Sequence, residues 1–147
     1  LVDYAHSPDA LEKTLQTCKE LKGKKGKLYC VFGCGGDRDK TKRPLMGRIG
    51  SKLSDVCVVT SDNPRTEEPD AIVADIVAGI PKDKKVVTLV DRRAAIESVV
   101  TEATSDDLVV IAGKGHENYQ IIGTKKIDFS DVEVARASLL AKINKFP

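Results

Sequence analysis

Apolar runs with the character of buried strands alternate with helical patterns along most of this chain, and this alternation limits its fold more than any other feature. Short, mainly apolar runs between polar segments are typical of buried strands. Four such runs cover residues 27–32, 56–59, 86–90 and 108–112. Because strands separated by helices favour a parallel sheet, the sequence predicts an α/β domain.

Helix start signals and apolar spacing place helices before, between and after these strands. Ser7 and Pro8 are types preferred at the N-cap and first position of a helix, and Ser130 with Glu133 forms a capping box that begins the last helix. Another helix is predicted over residues 70–78. The apolar residues expected to face the core are Leu11, Leu15, Cys18 and Leu21 in the first helix, Leu45, Ile49 and Leu53 in the helix begun by Pro44, Ile96, Val99, Val100 and Ala103 in the helix capped by Asp91, and Val132, Ala135, Leu139 and Ile143 in the last.

Two short runs late in the chain, residues 119–122 and 127–129, surround the sequence Gly-Thr-Lys-Lys and indicate a hairpin. We therefore predict an open, mainly parallel, Rossmann-like sheet with one antiparallel strand and helices on both faces. The 147 residues have the length of one domain with a buried core.

The charge balance and composition exclude several classes of protein. The net charge is only +2, from 24 basic and 22 acidic residues, and 4% of residues are aromatic. We therefore expect no nucleic-acid partner, which would favour a basic surface or stacking platforms. The sequence lacks an apolar run of the ~20 residues that a membrane span needs, and it lacks a signal-peptide pattern. We expect a cytoplasmic protein without membrane insertion.

The cysteine pattern argues against a metal site. Cys18, Cys30, Cys34 and Cys57 include no Cys-x-x-Cys pair, and only two histidines are present to join them. We expect no metal ligands, and we expect Cys18, Cys30 and Cys57 to be reduced and buried in the core.

The loop over residues 60–70 combines charges of both signs directly after a strand. Asp62, Asn63 and Arg65 supply a carboxylate, an amide and a guanidinium, and Pro64 fixes the backbone between them. An ammonium group would bind the carboxylate and the amide oxygen, and a carboxylate would bind the two-pronged Arg65. The set therefore suits a zwitterion. The alternative is an Asx turn ending at Pro64 with a solvated Arg65.

A glycine-rich turn follows the strand at residues 27–32. It is not a dinucleotide fingerprint, because Arg38 stands where the third glycine belongs, and no P-loop ending of Gly-Lys-Ser/Thr occurs in the chain. The turn allows close approach of a ligand. The cations that follow, suited to carboxylate or phosphate or else simply solvated, are Arg38, Lys40, Lys42 and Arg43.

Two further polar segments lie at predicted strand ends. Gly113 begins a loop in which Lys114, His116 and Glu117 supply a cation, a titratable ring and a carboxylate. A base or a binding role is compatible with this set, as is a polar surface turn, and no nucleophile is paired with His116.

Asp3 and His6 precede the first helix, where backbone donors suit a nucleotide or phosphate, although an ordinary linker would look the same. Carboxyl ends of parallel strands share one sheet edge, so all these groups are expected to converge on one crevice.

These motifs, taken in order, resemble the C-terminal domain of the Mur ligases of peptidoglycan synthesis. The resemblance covers essentially the whole chain and rests on Val-Asp-Tyr-Ala-His at residues 2–6 and on residues 33–44, 62–67 and 113–120. It is strongest to the family members that add the third amino acid to UDP-N-acetylmuramoyl-L-alanyl-D-glutamate, the UDP-MurNAc-dipeptide. In those members the form Asp-Asn-Pro-Arg marks enzymes specific for meso-diaminopimelate.

The resemblance implies ATP-dependent amide formation through an acyl phosphate, with ATP and Mg²⁺ held mostly by a central domain outside these residues. It assigns no certain catalytic residue to this domain, and ligation by these 147 residues alone is not expected. By the same resemblance, the meso-diaminopimelate site contains Arg38, Asp62, Asn63, Pro64, Arg65, Gly113 and Glu117, the nucleotide rests near Asp3 and His6, and Lys114 and His116 are accessory.

Alternative functions also fit parts of the pattern. One is the C-terminal domain of a folylpolyglutamate or cyanophycin ligase, and another is a non-catalytic amino-acid-binding module. A dinucleotide oxidoreductase fits less well, because its glycine fingerprint fails at Arg38.

Overall fold

The computed structural model describes residues 1–145 as a sheet covered by helices, with a separate hairpin. The elements in chain order are β1 (Val2–Asp3), α1 (Pro8–Leu21), β2 (Leu28–Phe32), α2 (Lys42–Leu53), β3 (Val56–Val59), α3 (Pro69–Val77), β4 (Val86–Thr88), α4 (Arg92–Glu102), β5 (Leu108–Ala112), β6 (Tyr119–Ile122), β7 (Lys125–Asp128) and α5 (Asp131–Lys145).

The main sheet has five strands in the order β1-β5-β2-β3-β4, and every neighbouring pair is parallel. The chain steps from β2 through β3 to β4, and β5 then returns to the other side of β2. Such a reversal opens a crevice at the carboxyl ends of the two central strands. The α/β fold class predicted from the sequence is confirmed.

The hairpin lies elsewhere than expected. Strands β6 and β7 pair antiparallel as a sheet of their own, so the prediction of an antiparallel strand within the main sheet was wrong in its location. Both sides of β5 are already paired, to β1 and to β2. The hairpin instead rests on the loop after β3, where the Arg65 amide donates to the Ile121 carbonyl at 3.1 Å and the Gly123 amide donates to the Arg65 carbonyl at 2.7 Å.

Side chains of the central strand β2 alternate between two cores. Leu28, Cys30 and Phe32 belong to the core beneath α1, α2 and α3, whereas Tyr29 and Val31 belong to the core beneath α4 and α5. All five are buried, as expected for a strand covered on both faces.

The four cysteine thiols are free and buried, which confirms the expectation for the core cysteines. Burial raises the pKa of Cys34 and of Cys57 to about 12. Within residues 1–145, no helix is long and apolar enough to cross a membrane.

The first helix follows its sequence signals at its start but not at its end. Ser7 caps α1 by accepting from the Ala10 amide at 3.3 Å, and Leu11, Leu15 and Cys18 are buried. Leu21 is 71% exposed, because it is the last residue of the helix and is not part of either core.

The second helix follows its predicted face in part, because Ile49 and Leu53 pack half-buried against the core but Leu45 does not. Leu45 is 52% exposed, while Arg43, Gly47 and Gly50 are buried. A Cβ at Gly47 would lie 2.1 Å from the Ile76 carbonyl oxygen, so the two glycines allow α2 to approach its neighbours closely.

The last helix follows its predicted face only in its first half. Ala135 packs against the core and Val132 is half-buried, whereas Leu139 and Ile143 are exposed. Further along, the Lys142 ammonium donates to carbonyls at the end of α4, including Val100 at 3.0 Å.

Candidate functional site

Four segments at the carboxyl ends of parallel strands enclose one cleft of about 390 Å³. We name them the entry segment (residues 4–7), the glycine loop (33–41), the arginine loop (60–68) and the lysine loop (113–118). The lining contains cations and carboxylates together: Tyr4, His6, Gly35, Arg38, Asp39, Lys42, Asp62, Asn63, Arg65, Gly113 and Glu117. The cleft therefore offers partners to both ends of a zwitterion.

Arg65 is held in the cleft by an unusual backbone conformation. Its φ of 52° lies in the left-handed region, which is strained for a residue with a Cβ. Its guanidinium donates to the Gly36 carbonyl at 3.0 Å, and a Cβ at Gly35 would lie only 2.9 Å from Arg65 Nη1. Among residues 1–145, the other guanidinium N–H groups have no hydrogen-bond partner, so they remain available to a carboxylate.

Lys114 is fully buried behind the cleft and joins three segments. Its ammonium contacts Asp62 Oδ1 at 3.0 Å, Asn63 Oδ1 at 2.7 Å and the Tyr119 carbonyl at 3.0 Å. Glu117 Oε1 lies 3.8 Å away. A buried charge is stable only when it is paired and hydrogen-bonded, and these contacts meet that requirement.

The Asn63 side chain takes a different orientation from the one that ammonium binding would require. Its Oδ1 accepts from Lys114 and also from the Ile121 amide at 2.9 Å. Both partners are donors, so the oxygen must be the atom that faces them. The expectation that this oxygen would accept from a bound ammonium does not fit this arrangement.

Two tyrosines contact the free end of Glu117. Tyr4 and Tyr119 hydroxyls lie 3.4 Å and 3.5 Å from Glu117 Oε2, and the carboxylate raises the pKa of Tyr4 above its usual range. Beside them, Gly113 has a φ of 115°, and a Cβ there would lie 2.8 Å from Asp62 Oδ2. Only glycine leaves room for that carboxylate oxygen.

A buried arginine ties the glycine loop to the arginine loop. Arg43 donates to Glu67 at 2.7 Å and 3.1 Å, to Asp75 at 2.9 Å and to the Gly35 carbonyl at 3.0 Å, while the Asp37 amide donates to Glu67 at 2.6 Å. The sequence analysis placed Arg43 in a cationic cluster facing a ligand or solvent. That placement was wrong, since the inward face of α2 carries Arg43 into the interior.

This clamp makes stability depend on the charge of Glu67. Hydrogen bonds from Arg43 and the Asp37 amide lower the pKa of Glu67 to about 2, against about 4.3 in an unfolded chain. A carboxylate whose pKa is lower in the folded state than in the unfolded state stabilises the fold at pH values above the unfolded-state pKa. This stability is lost as the pH falls towards the folded-state pKa. We expect Glu67→Gln to melt at a lower temperature than the original chain at pH 7, and the difference to narrow between about pH 4.3 and pH 2.

Thermal melts followed by circular dichroism across this pH range check the expectation. Glu12→Gln, at an exposed position of α1, is the matched control and should show no such pH-dependent difference. A Glu67→Gln difference that stayed constant down to pH 2 would mean that the carboxylate charge is not its source.

A second buried ion pair supports the arginine and lysine loops from below. Arg92 donates to both carboxylate oxygens of Asp131 at 2.7 Å, to the Ser61 carbonyl at 3.1 Å and to the Ala112 carbonyl at 3.1 Å. The carboxyl ends of β3 and β5 are thereby fastened to the start of α5. Neither charged residue was singled out from the sequence, although Arg92 follows a strand end as the other site residues do.

A known protein family matches more than half of the chain. The family described as "Mur ligase, glutamate ligase domain" matches residues 1–115. The chain belongs to the Mur ligase family.

Relatives within the Mur ligases are similar over almost the whole chain. A UDP-N-acetylmuramoyl-L-alanyl-D-glutamate–2,6-diaminopimelate ligase from Gloeobacter violaceus is 60% identical over 139 residues, which cover 95% of this chain and 28% of the relative. A solved structure of an enzyme with the same name is 47% identical, with a TM-score of 0.91, and the match covers 97% of this chain and 29% of that one. The chain thus spans less than a third of the length of these relatives.

A more distant structure shares only the fold. Mycobacterium tuberculosis folylpolyglutamate synthase complexed with ADP and AMPPCP is 24% identical, with a TM-score of 0.56, over 95% of this chain and 29% of that one. The fold therefore does not distinguish between substrates, and the cleft residues must do so.

The cleft of this Mur ligase domain brings together most of the residues predicted to bind the amino acid. Arg38, Asp62, Asn63, Arg65, Gly113 and Glu117 line it. Pro64 instead lines a neighbouring cleft beside Gln120, whose amide donates to the Asp62 carbonyl at 2.6 Å.

The remaining predicted residues of the Mur ligase site are scattered. His6 lines the cleft, with Nδ1 2.8 Å from the Tyr4 carbonyl, but the Asp3 carboxylate is occupied by the Ala5 amide at 2.9 Å and the Thr14 hydroxyl at 3.1 Å. His116 is exposed outside the cleft lining. Tyr4 and Asp39 also line the cleft and were not predicted as site residues: Tyr4 is uncharged, and Asp39 is a single carboxylate among the cations of the glycine loop.

Proposed function

We propose that this chain is the amino-acid-binding domain of an ATP-dependent ligase that joins meso-diaminopimelate to UDP-N-acetylmuramoyl-L-alanyl-D-glutamate in peptidoglycan synthesis. The observation that carries the proposal is the cleft that unites the partly unpaired guanidinium of Arg65 with the carboxylates of Asp62 and Glu117. The names of the two diaminopimelate ligases described above support the same substrate.

The distal end of meso-diaminopimelate carries one ammonium and one carboxylate. In the proposed complex Arg65 and the exposed Arg38 bind the carboxylate, and Asp62 and Glu117 bind the ammonium. Lysine has no distal carboxylate, so it leaves the Arg65 fork without a partner, and an unpaired polar group in the complex costs affinity.

The other amino group of the bound amino acid is left to react. In the proposed reaction, the carboxylate of the nucleotide peptide is first phosphorylated, and the free amine then attacks the acyl phosphate. The new carbon–nitrogen bond forms as phosphate leaves. This domain contributes by holding the amine in place, which turns an encounter of two molecules into a positioned reaction.

In the proposed arrangement, ATP with Mg²⁺ supplies the phosphoryl group, and both are held mainly by residues outside this chain segment. The chain has no P-loop sequence, but His6 lies at the cleft edge and Lys42 donates to the His6 carbonyl at 2.9 Å. These two side chains suit contact with a phosphate or ribose from this side. Consumption of ATP and a UDP-linked precursor places the proposed enzyme in the cytoplasm.

The alternative ligase class uses the cleft less completely. The side chain of glutamate, the amino acid added by folylpolyglutamate synthases, ends in a carboxylate without an ammonium. It would leave Asp62 and Glu117 with no cation to bind in the cleft. Meso-diaminopimelate uses both signs of charge.

NMR titration of the ¹⁵N-labelled chain tests the proposal, with meso-diaminopimelate as ligand and L-lysine as control. We expect chemical-shift changes confined to the backbone amides of Arg38, Asn63, Arg65, Thr66 and residues 113–117, seen with diaminopimelate and not with lysine. An equal response to both ligands would contradict the role of Arg65 as selector. Saturable binding with changes outside these segments would contradict the assigned cleft.

A further inference from the structure

The ammonium of Lys114 is fully buried at the point where the arginine loop, the lysine loop and the hairpin meet. Three acceptors within 3.0 Å surround it: Asp62 Oδ1, Asn63 Oδ1 and the Tyr119 carbonyl. Two of these contacts, to Asn63 Oδ1 and to the Tyr119 carbonyl, are hydrogen bonds, and the contact with Asp62 is an ion pair. Because the Lys114 side chain is fully buried, it acts on the cleft through these neighbours.

The contact with Asn63 fixes which end of the amide faces the cleft. Asn63 Oδ1 accepts from Lys114 at 2.7 Å and from the Ile121 amide at 2.9 Å, which occupies both of its lone pairs. Rotating the amide by 180° would place its NH₂ group against two donors. Among residues 1–145, the Asn63 Nδ2 atom has no hydrogen-bond partner. The atom is not fully buried, and Asn63 lines the cleft.

We propose that Lys114 is a positioning residue that holds the Asn63 amide with its NH₂ group toward the cleft, so that Asn63 donates to the distal carboxylate of the ligand beside Arg65. The identity of that ligand rests on the proposed function, whereas the orientation of the amide rests on the contacts of Lys114 and Ile121 alone.

The same ammonium adjusts the charge on the opposite side of the cleft. It pairs with Asp62 Oδ1 at 3.0 Å, and Asp62 Oδ2 points toward Gly113, where a Cβ would lie 2.8 Å away. Lys114 thus occupies one oxygen of Asp62 and leaves the other for an ammonium. Lys114 thereby leaves the Asn63 NH₂ group free to donate to the ligand carboxylate and leaves Asp62 Oδ2 free to accept from the ligand ammonium.

Hydrogen exchange in the ligand-free chain tests the orientation. Lys114→Met removes the ammonium and keeps a side chain of similar length. We expect exchange at the Ile121 amide, which Asn63 Oδ1 holds, to rise at least about tenfold relative to the amides of β2, together with a shift of the Asn63 side-chain NH₂ resonances. A uniform rise across the chain, or none at Ile121, would overturn the proposal.

Binding of meso-diaminopimelate, measured by isothermal titration calorimetry, tests whether Lys114 acts through Asn63. We expect Lys114→Met to weaken binding at least about tenfold, and Lys114→Met added to Asn63→Ala to weaken it less than twofold further. Full additivity of the two losses would overturn the proposal, because it would mean that Lys114 acts independently of Asn63.

If Lys114→Met does not fold, Lys114→Gln takes its place, because glutamine keeps an N–H donor without the charge. The exchange rate of the Ile121 amide in Lys114→Gln is then expected to lie between the rate in the original chain and the rate of an unprotected amide. If the original chain does not bind meso-diaminopimelate, the proposed function fails, while the Ile121 exchange still decides whether Lys114 sets the amide orientation.

Discussion

Replacing Arg92 with methionine is expected to lower the free energy of unfolding by about 3–5 kcal/mol. The two side chains of the Arg92–Asp131 pair are fully buried, and the pair is two-pronged, with both contacts at 2.7 Å. Removing the guanidinium leaves the Asp131 carboxylate without a countercharge and removes a donor from each of the Ser61 and Ala112 carbonyls. The large effect comes from these stranded groups and not from the intrinsic value of the pair.

Urea denaturation gives the measurement, with the slope m used to check that unfolding remains two-state. Arg136→Met, at an exposed position of α5, is the control and should change the free energy by no more than about 0.5 kcal/mol. Adding Asp131→Asn to Arg92→Met should recover part of the loss, because the unpaired charge is then gone. A loss below about 1 kcal/mol for Arg92→Met would contradict the burial of the pair.

Replacing Arg65 with alanine in the complete ligase is expected to raise KM for meso-diaminopimelate about 10- to 100-fold, with less than a twofold change for ATP. The guanidinium is already placed by the left-handed backbone and by its bond to the Gly36 carbonyl, so little ordering is needed when the ligand binds. Alanine carries a Cβ as arginine does, so the substitution adds no new Cβ strain to this backbone; it removes the fork together with its bond to the Gly36 carbonyl.

Steady-state kinetics with each substrate varied in turn provide the test. Arg48→Ala, an exposed arginine on α2 outside the cleft, is the matched control. The KM of Arg65→Lys for meso-diaminopimelate should lie between those of the original enzyme and of Arg65→Ala, because an ammonium cannot make the two parallel bonds of a guanidinium. Equal rises in KM for diaminopimelate and ATP would remove Arg65 as a determinant of specificity.

The fold and the loops at the cleft were accessible from the sequence because both depend on local signals. Short apolar runs, the caps at Ser7 and Asp91, and polar segments after strands predict the elements and the sheet edge at which they meet. The parallel arrangement then brings the loops together by geometry alone.

The exposure of Leu45 on α2 was missed although the sequence carried a sign of it. Arg43, Gly47 and Gly50 lie at helical spacing and share the buried face. Two glycines on one helix face indicate that this face packs closely against its neighbours. Leu45 lies on another face of α2 and is exposed.

The burial of Lys114 had no local sign. It stands between two glycines in what reads as a surface turn, and Asn63, whose Oδ1 accepts from it, lies 51 residues away along the chain. The same holds for Arg92, whose partner is 39 residues away. Which cation of a polar segment becomes structural depends on tertiary contacts that a pattern of residue types does not contain.

The strand order has a consequence for synthesis on the ribosome. Within residues 1–145, β5 is the only partner of one edge of β2 and the only partner of β1, in which Val2 lies opposite Ile111. At roughly 5–20 residues per second, the ~75 residues between β2 and β5 take about 4–15 s to synthesise. During that interval an apolar strand edge stays open to pairing with other chains. A chaperone that covers this edge during synthesis is expected to reduce such pairing.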